Sequence, residues 1–284
     1  MTRYAEVIGE PISQSKSPTI HRFWLEKLGI EGDYGATRVS EGEVADYLGD
    51  RRANSDWLGC NVTMPLKKAV MVHLDRIDPP ADAIGAVNTI TRTAGGALVG
   101  TNTDAAGFLE PLRQVLQASH LFRMARILGA GGAAQALAHA LAAHNFTLVI
   151  AARRTEQADA LAESLPREAQ THTTSLDYFA SPTDFVFDDR IGLLDLVINA
   201  SPLGMRGKPP LAFDWSHAPP GSIAYDIVTD PVETEFLKAA REAGHETIDG
   251  FAMLIGQAAE AFRLFFGHAA PRQFDLELRE KLAE

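Results

Sequence analysis

The clearest chemistry-bearing run in the chain is Gly129, Ala130, Gly131, Gly132, Ala133 and Ala134, which follows Arg126-Ile127-Leu128 and precedes the Ala-rich stretch Gln135 to Ala143. A short strand that enters a glycine turn and then a helix with no bulk at its mouth lets a phosphate approach the helix N–H groups. That is the outline of a dinucleotide site. Spacing alone is weak, because glycine also punctuates ordinary turns between strands and helices. The context strengthens it: Thr147 to Ala151 supplies the next buried strand, giving a βαβ unit of about 25 residues with the right-handed parallel crossover.

The charge at the end of that second strand selects between dinucleotides. An NAD site usually places Asp or Glu there to accept from the ribose 2'-hydroxyl. Here the chain reads Ala151-Ala152-Arg153-Arg154-Thr155. Guanidiniums are permanently charged and bind a phosphate bidentately, so the pair predicts NADP (NADPH). An arbitrary arginine pair is more often a solvated basic turn, and it is the position that favours a phosphate.

Other polar residues gather where strands are expected to end and helices to begin, which is where ligands of open sheets bind. Ser15 and Ser17 precede a helix from about Pro18 to Leu28. Ser17 before Pro18 makes a good N-cap and N1 pair, whereas Ser15 has no such explanation, and two hydroxyls there also make a carboxylate cradle. Asn61 and Thr63 end the strand Trp57 to Thr63. Pro65 is expected to start a helix with Lys67 in its first turn, where a cation opposes the helix dipole; a solvated surface lysine is the commoner case. Asn88 lies in Ile84 to Ile90, separated by a Gly95-Gly96 hairpin turn from Ala97 to Thr101. Asp104 follows as the expected cap of a helix to about Ala118, and capping alone accounts for it. Met205 stands in a strand-end loop, and Met253, Gln257 and Glu260 share one face of the helix Phe251 to Gly267.

These residues must be positioned by an alternating fold. Strands are expected at Tyr4 to Gly9, Tyr34 to Val39, Gln170 to Thr174, Asp195 to Ala200, Ser222 to Val228 and Glu246 to Ile248, with helices at Glu41 to Arg52 and Val232 to Ala243. Strands alternating with helices imply a parallel, doubly wound sheet. The chain has 284 residues, enough for two domains at roughly 150 each. Its 46% apolar and 22% charged composition is that of a globular protein with an ample core. A net charge of -11 argues against a nucleic-acid or anionic-membrane partner. The single cysteine, Cys60, excludes an intrachain disulfide and fits a reducing compartment. Met1 to Pro11 has no apolar stretch of signal-peptide length, and Gln257, Glu260 and Arg263 interrupt the most apolar helix, so a cytoplasmic chain is expected. No metal is expected.

Taken together, the motifs resemble the shikimate dehydrogenase family over nearly the whole chain. They are Gly9-x-Pro11 with Ser15-Lys16-Ser17-Pro18, Asn61-Val62-Thr63-Met64-Pro65-Leu66-Lys67, Gly85-Ala86-Val87-Asn88-Thr89, and Asn102-Thr103-Asp104 through Gly107. Further on come Gly129 to Ala133, Asn199-Ala200-Ser201-Pro202 with Gly204-Met205, Tyr225-Asp226, and Asp249-Gly250 through Met253-Leu254 to Gln257. The resemblance implies an α/β substrate domain, a Rossmann-type doubly wound NADP domain, and last helices that pack back on the first domain. The divisions expected are 1–103 with 250–284, and 104–249. It implies reversible reduction of 3-dehydroshikimate to shikimate in aromatic amino-acid biosynthesis. Lys67 and Asp104 would be the catalytic pair, and Ser15 and Ser17 would hold the substrate carboxylate. Asn61, Thr63, Asn88, Tyr225 and Gln257 would meet the carboxylate or hydroxyls. Gly129 to Ala134 would hold the pyrophosphate, Arg153 with Arg154 the 2'-phosphate, and Met205 and Gly250 would also face the cofactor. A monomer or homodimer is expected.

The chain also departs from the family pattern. Gln14 stands where many members have His, Ala152 and Arg154 replace the usual Asn and Thr around Arg153, Thr229 replaces a second Tyr, and Ala252 replaces a Gly. The competing readings are a quinate/shikimate dehydrogenase of broad specificity and a non-enzymatic NADP-binding sensor. A sensor has no need to keep both Lys67 and Asp104.

Overall fold

The computed structural model describes residues 2–187 and 192–284. Its strands form two six-stranded sheets. The first contains β1 (Tyr4–Gly9), β2 (Asp33–Arg38), β3 (Trp57–Val62), β4 (Arg76–Ile77), β5 (Thr89–Arg92) and β6 (Leu98–Thr101), in the order β2-β1-β3-β5-β6-β4. The second contains β7 (Phe122–Leu128), β8 (Thr147–Ala152), β9 (Thr171–Ser175), β10 (Leu193–Asn199), β11 (Ile223–Asp226) and β12 (Glu246–Ile248), in the order β12-β11-β10-β7-β8-β9. The chain divides into two units, Met1–Gly107 with Ile255–Glu284, and Phe108–Leu254. Both boundaries fall inside helices, Asp104–Leu109 and Gly250–Phe266, a few residues past the strand ends at which the sequence places them.

In the first unit, β1 runs parallel to β2 and β3, while β5 forms an antiparallel hairpin with β6. Strands β1 and β3 read as near-continuous apolar runs because both faces are covered. Helix Ser17–Leu28 buries Ile20, Phe23 and Trp24, the i, i+3, i+4 stripe of an amphipathic helix, and ends at Gly29 in the left-handed conformation. Ala261 and Phe265 of helix Gly250–Phe266 join Ala5, Val7, Tyr34 and Leu58 in one apolar cluster. Helix Asp275–Ala283 buries Leu278 and Leu282, and the Leu282 carbonyl accepts from Lys16 Nζ at 2.5 Å. The C-terminal helices thus pack onto the N-terminal sheet.

Three local expectations are corrected. No helix starts at Pro65: the Lys67 carbonyl accepts from the Val87 N–H at 2.9 Å instead of from a helical donor, and the next regular turn is the 3-10 helix Ala69–His73. No helix dipole therefore opposes Lys67. The helix after Asp104 stops at Leu109 and resumes at Arg113–Gln117, because Pro111 lacks an N–H and its ring collides with the preceding turn. Ser17 is already helical, so it does not cap its helix.

All strand pairs of the second sheet are parallel. In order of appearance its strands lie 6-5-4-1-2-3, the doubly wound dinucleotide arrangement, with the reversal between β7 and β10. Across that reversal Arg126 on β7 and Asp195 on β10 form a buried ion pair at 2.5 Å, and Ser222 Oγ donates to Asp195 at 2.8 Å. Burial pushes the Asp195 carboxyl up despite Arg126. Removing one partner of such a pair strands the other, at about 3–5 kcal/mol. Among the described residues no helix is long and apolar enough to cross a membrane.

Candidate active site

Strand β6 runs through Asn102 and Thr103 into helix Asp104–Leu109. Asn102 Oδ1 accepts the Asp104 N–H at 3.0 Å, so the carboxylate of Asp104 is not spent on its own helix end. Its Oδ2 accepts from Lys67 Nζ at 2.5 Å and its Oδ1 from Asn88 Nδ2 at 2.8 Å. The side chains of Lys67 and Asp104 are 19% and 9% exposed, which places the pair at the edge of solvent, where a ligand can reach it. The Asn88 amide has one orientation: its Oδ1 accepts from the Thr103 N–H at 2.7 Å and from Thr89 Oγ1 at 2.9 Å, which turns Nδ2 toward Asp104.

The paired serines exchange the roles that the sequence gives them. Ser15 Oγ accepts the Ser17 N–H at 3.3 Å, so Ser15 does the capping and the Ser17 hydroxyl is left for other partners. Ser17 is buried and Ser15 half-buried. Asn61 on β3 donates to Thr89 Oγ1 at 2.9 Å and to the Asn88 carbonyl at 3.3 Å. Thr63 follows β3, its N–H held by the Ile8 carbonyl and its side chain half-buried. Gln257 Oε1 receives a long contact of 3.5 Å from Thr103 Oγ1. One polar network therefore links Asn61, Asn88, Asp104, Lys67 and, through Thr103, Gln257. Sequence reasoning assigns no role to Asn102, Thr89 or Thr103, although each sits beside a residue it singles out. Any Asn, Thr or Ser within two positions of a candidate acid is a candidate orienter, and that is the available signal.

The second unit holds the other candidates. Gly129 ends β7 with φ +129°, and a Cβ there would lie 2.6 Å from the Ala200 carbonyl oxygen, so only glycine fits. A Cβ on Gly131 or Gly132 would meet nothing within 4 Å, and no side chain caps helix Gly132–Ala143. That leaves an open helix N-terminus facing the strand reversal, a place for a phosphate. Ala130 and Ala133 are half-buried, while Ala134 is buried and serves the close approach of helix to sheet. Arg153 and Arg154 follow β8, are exposed, and form no ion pair among the described residues, leaving two guanidiniums for a second phosphate. Met205 is 42% exposed on the loop after β10. Asn199 pins that loop by donating to the Leu203 carbonyl at 2.9 Å and to Asp226 at 3.0 Å. Gly250 is held by packing, since a Cβ would collide with the Val228 carbonyl. Tyr225 stacks on Phe108 and is wholly buried, its hydroxyl without a hydrogen-bond partner among the described residues. Burial pushes that phenol well up. Among the described residues no group of three or more His, Cys, Asp or Glu is placed to hold a metal ion.

A doubly wound sheet with an open glycine turn, in one chain with an oriented Lys–Asp pair, defines a dehydrogenase-class oxidoreductase. Residues 7–90 match the shikimate dehydrogenase substrate binding domain and residues 250–276 the shikimate 5'-dehydrogenase C-terminal domain. The shikimate dehydrogenase (NADP(+)) of Sphingopyxis alaskensis is 46% identical over 284 residues, covering 98% of this chain and 96% of that protein. A shikimate 5-dehydrogenase from Thermus thermophilus, solved with NADP(H) and shikimate, superposes with a TM-score of 0.79 at 32% identity, covering 99% of this chain and all of that one. A quinate dehydrogenase from Corynebacterium glutamicum, solved with NAD, superposes with a TM-score of 0.80 at 32% identity over 98% of both chains. The chain belongs to the shikimate dehydrogenase family.

Proposed function

We propose that this enzyme catalyses the reversible reduction of 3-dehydroshikimate to shikimate with NADPH, on the route to chorismate and the aromatic amino acids, with Lys67 and Asp104 as its catalytic pair. The observation that carries it is the Lys67–Asp104 contact at 2.5 Å, oriented by Asn88 and left at the edge of solvent. In this reading 1–103 with 250–284 binds substrate and 104–249 binds NADP. Ser15 and Ser17 hold the carboxylate, and Asn61, Thr63, Asn88, Tyr225 and Gln257 meet the carboxylate or hydroxyls. Gly129 to Ala134 approach the pyrophosphate, Arg153 and Arg154 the 2'-phosphate, and Met205 and Gly250 border the same cofactor.

Bound NADPH supplies the hydride. Lys67 Nζ donates a hydrogen bond, and then a proton, to the carbonyl oxygen that becomes the C3 hydroxyl. Asp104 holds Lys67 in place and accepts from the neighbouring substrate hydroxyl. Asn88 keeps the Asp104 carboxylate from rotating away. A net charge of -11 and a single buried cysteine support a cytoplasmic enzyme acting on a small molecule without nucleic acid or membrane.

Initial rates of dinucleotide reduction, followed by absorbance with shikimate or quinate and with NADP or NAD, test the reading. Rapid turnover confined to shikimate with NADP is the expected result. Comparable turnover of quinate would make the chain a quinate/shikimate dehydrogenase of broad specificity, and no turnover in any combination would favour an NADP-binding sensor.

A further inference from the structure

Tyr34 lies on β2, outside every motif that carries the family resemblance, yet its hydroxyl meets Asn61 of the proposed substrate site. Its side chain is wholly buried. The hydroxyl donates to Asn61 Oδ1 at 2.5 Å.

The donor and acceptor inventory of Asn61 then closes. Its two amide hydrogens go to Thr89 Oγ1 and to the Asn88 carbonyl, and one lone pair of Oδ1 goes to Tyr34. What remains for a ligand is the second lone pair, an acceptor that suits a hydroxyl and repels a carboxylate. Ser17, with a rotatable proton, is the complementary donor for the carboxylate.

Tyr34 is itself held by packing. Its ring stacks on the His21 imidazole with centroids 3.9 Å and planes 3° apart, and Trp24 and Phe262 flank His21 on other sides. Both His21 nitrogens lack hydrogen-bond partners among the described residues, so the imidazole acts as a flat apolar support. Such a support holds the ring with its hydroxyl on Asn61.

We propose that Tyr34 is a positioning residue for the substrate: its hydroxyl locks the Asn61 amide so that Asn61 accepts from a substrate hydroxyl. This rests on the reading of Asn61 as a substrate-binding residue.

The test is a double-mutant cycle with Tyr34→Phe, Asn61→Ala and the pair, reading kcat, the KM for shikimate and the KM for NADP. Phenylalanine keeps the stack on His21 and removes only the hydroxyl. Tyr34→Phe is expected to raise the shikimate KM about tenfold, as for loss of one neutral hydrogen bond, with kcat within about threefold and the NADP KM unchanged. The pair is expected to be no worse than Asn61→Ala alone, because Tyr34 acts through Asn61. An unchanged shikimate KM in Tyr34→Phe, or effects that add in the pair, would overturn the role of Tyr34 while leaving the site intact. An unchanged KM in Asn61→Ala would overturn both. Where Tyr34→Phe is less stable, the rise in its melting temperature on adding shikimate carries the same prediction, since it reads binding by folded protein.

Discussion

Asn102 Oδ1 holds the backbone N–H of Asp104 at 3.0 Å, while the Asp104 carboxylate stays clear of its own helix end. An aspartate at a helix start ordinarily turns its carboxylate back onto the exposed N–H groups. Here a neighbour two residues earlier takes that duty, and both Asp104 oxygens go to side chains, Lys67 and Asn88. The same division of labour recurs at the first helix, where Ser15 takes the Ser17 N–H.

Asn102→Ala should therefore act on turnover as well as on stability. Losing a cap costs about 0.5–2 kcal/mol. If Asp104 then swings to satisfy its own backbone, kcat falls by about tenfold, worth about 1.4 kcal/mol of barrier, with substrate KM changed far less. A folded Asn102→Ala with full kcat would separate the cap from catalysis.

In the proposed reading Arg153 and Arg154 carry the cofactor preference. Charge-assisted hydrogen bonds contribute about 1.5–3 kcal/mol, so Arg153→Ala with Arg154→Ala should raise the NADP KM by about tenfold to a hundredfold. The NAD KM should stay within about twofold, since NAD has no 2'-phosphate. Parallel loss for both dinucleotides would point to a general effect on the fold.

Two glycines of one turn are predicted to fail differently. Gly129→Ala combines a φ of +129° with a clash against the Ala200 carbonyl, so it should lower the melting temperature outright. Gly131→Ala meets nothing within 4 Å and has φ -84°, so the protein should fold normally. In the proposed reading its methyl instead enters the space for the pyrophosphate, and the NADP KM should rise by about tenfold or more. Thermal melts read beside NADP titrations distinguish the two.

His21 gives the fold an acid sensitivity with a definite sign. Burial lowers its pKa from 6.5 to about 3, so the folded state refuses a proton that the unfolded chain accepts. The stability it withdraws is absent above about pH 6.5 and grows as pH falls toward 3, by up to about 1.4 kcal/mol per pH unit. His21→Phe removes that contribution and keeps a ring against Tyr34. Urea melts at pH 7.5 and pH 5 should show the variant gaining on the parent at the lower pH, and a constant difference would exclude the mechanism.

The second sheet is legible in the sequence because its strands are short apolar runs punctuated by glycine turns, and because the parallel crossover admits few topologies. The positions of the arginine pair after β8 and of the glycines after β7 are readable for the same reason, since a strand end is a local signal. The Pro65 region misleads because a proline before a polar run looks like a helix start, while the Val87 donor that claims the Lys67 carbonyl lies 20 residues away. The helix break near Pro111 does carry a local signal, the proline itself, which the expectation of a single helix to Ala118 overlooks. Tyr34 has no signal at all, since its neighbour Asn61 is brought to it only by the pairing of β1 with both β2 and β3.

The most direct measurement is the single-turnover rate of NADPH formation by Lys67→Ala at saturating shikimate, with shikimate affinity measured on the same protein. A fall on the order of a hundred- to a thousandfold, about 2.7–4 kcal/mol of barrier, is predicted, with shikimate still bound. A folded Lys67→Ala that keeps most of the parent rate would remove Lys67, and with it the Lys67–Asp104 pair, from the chemistry.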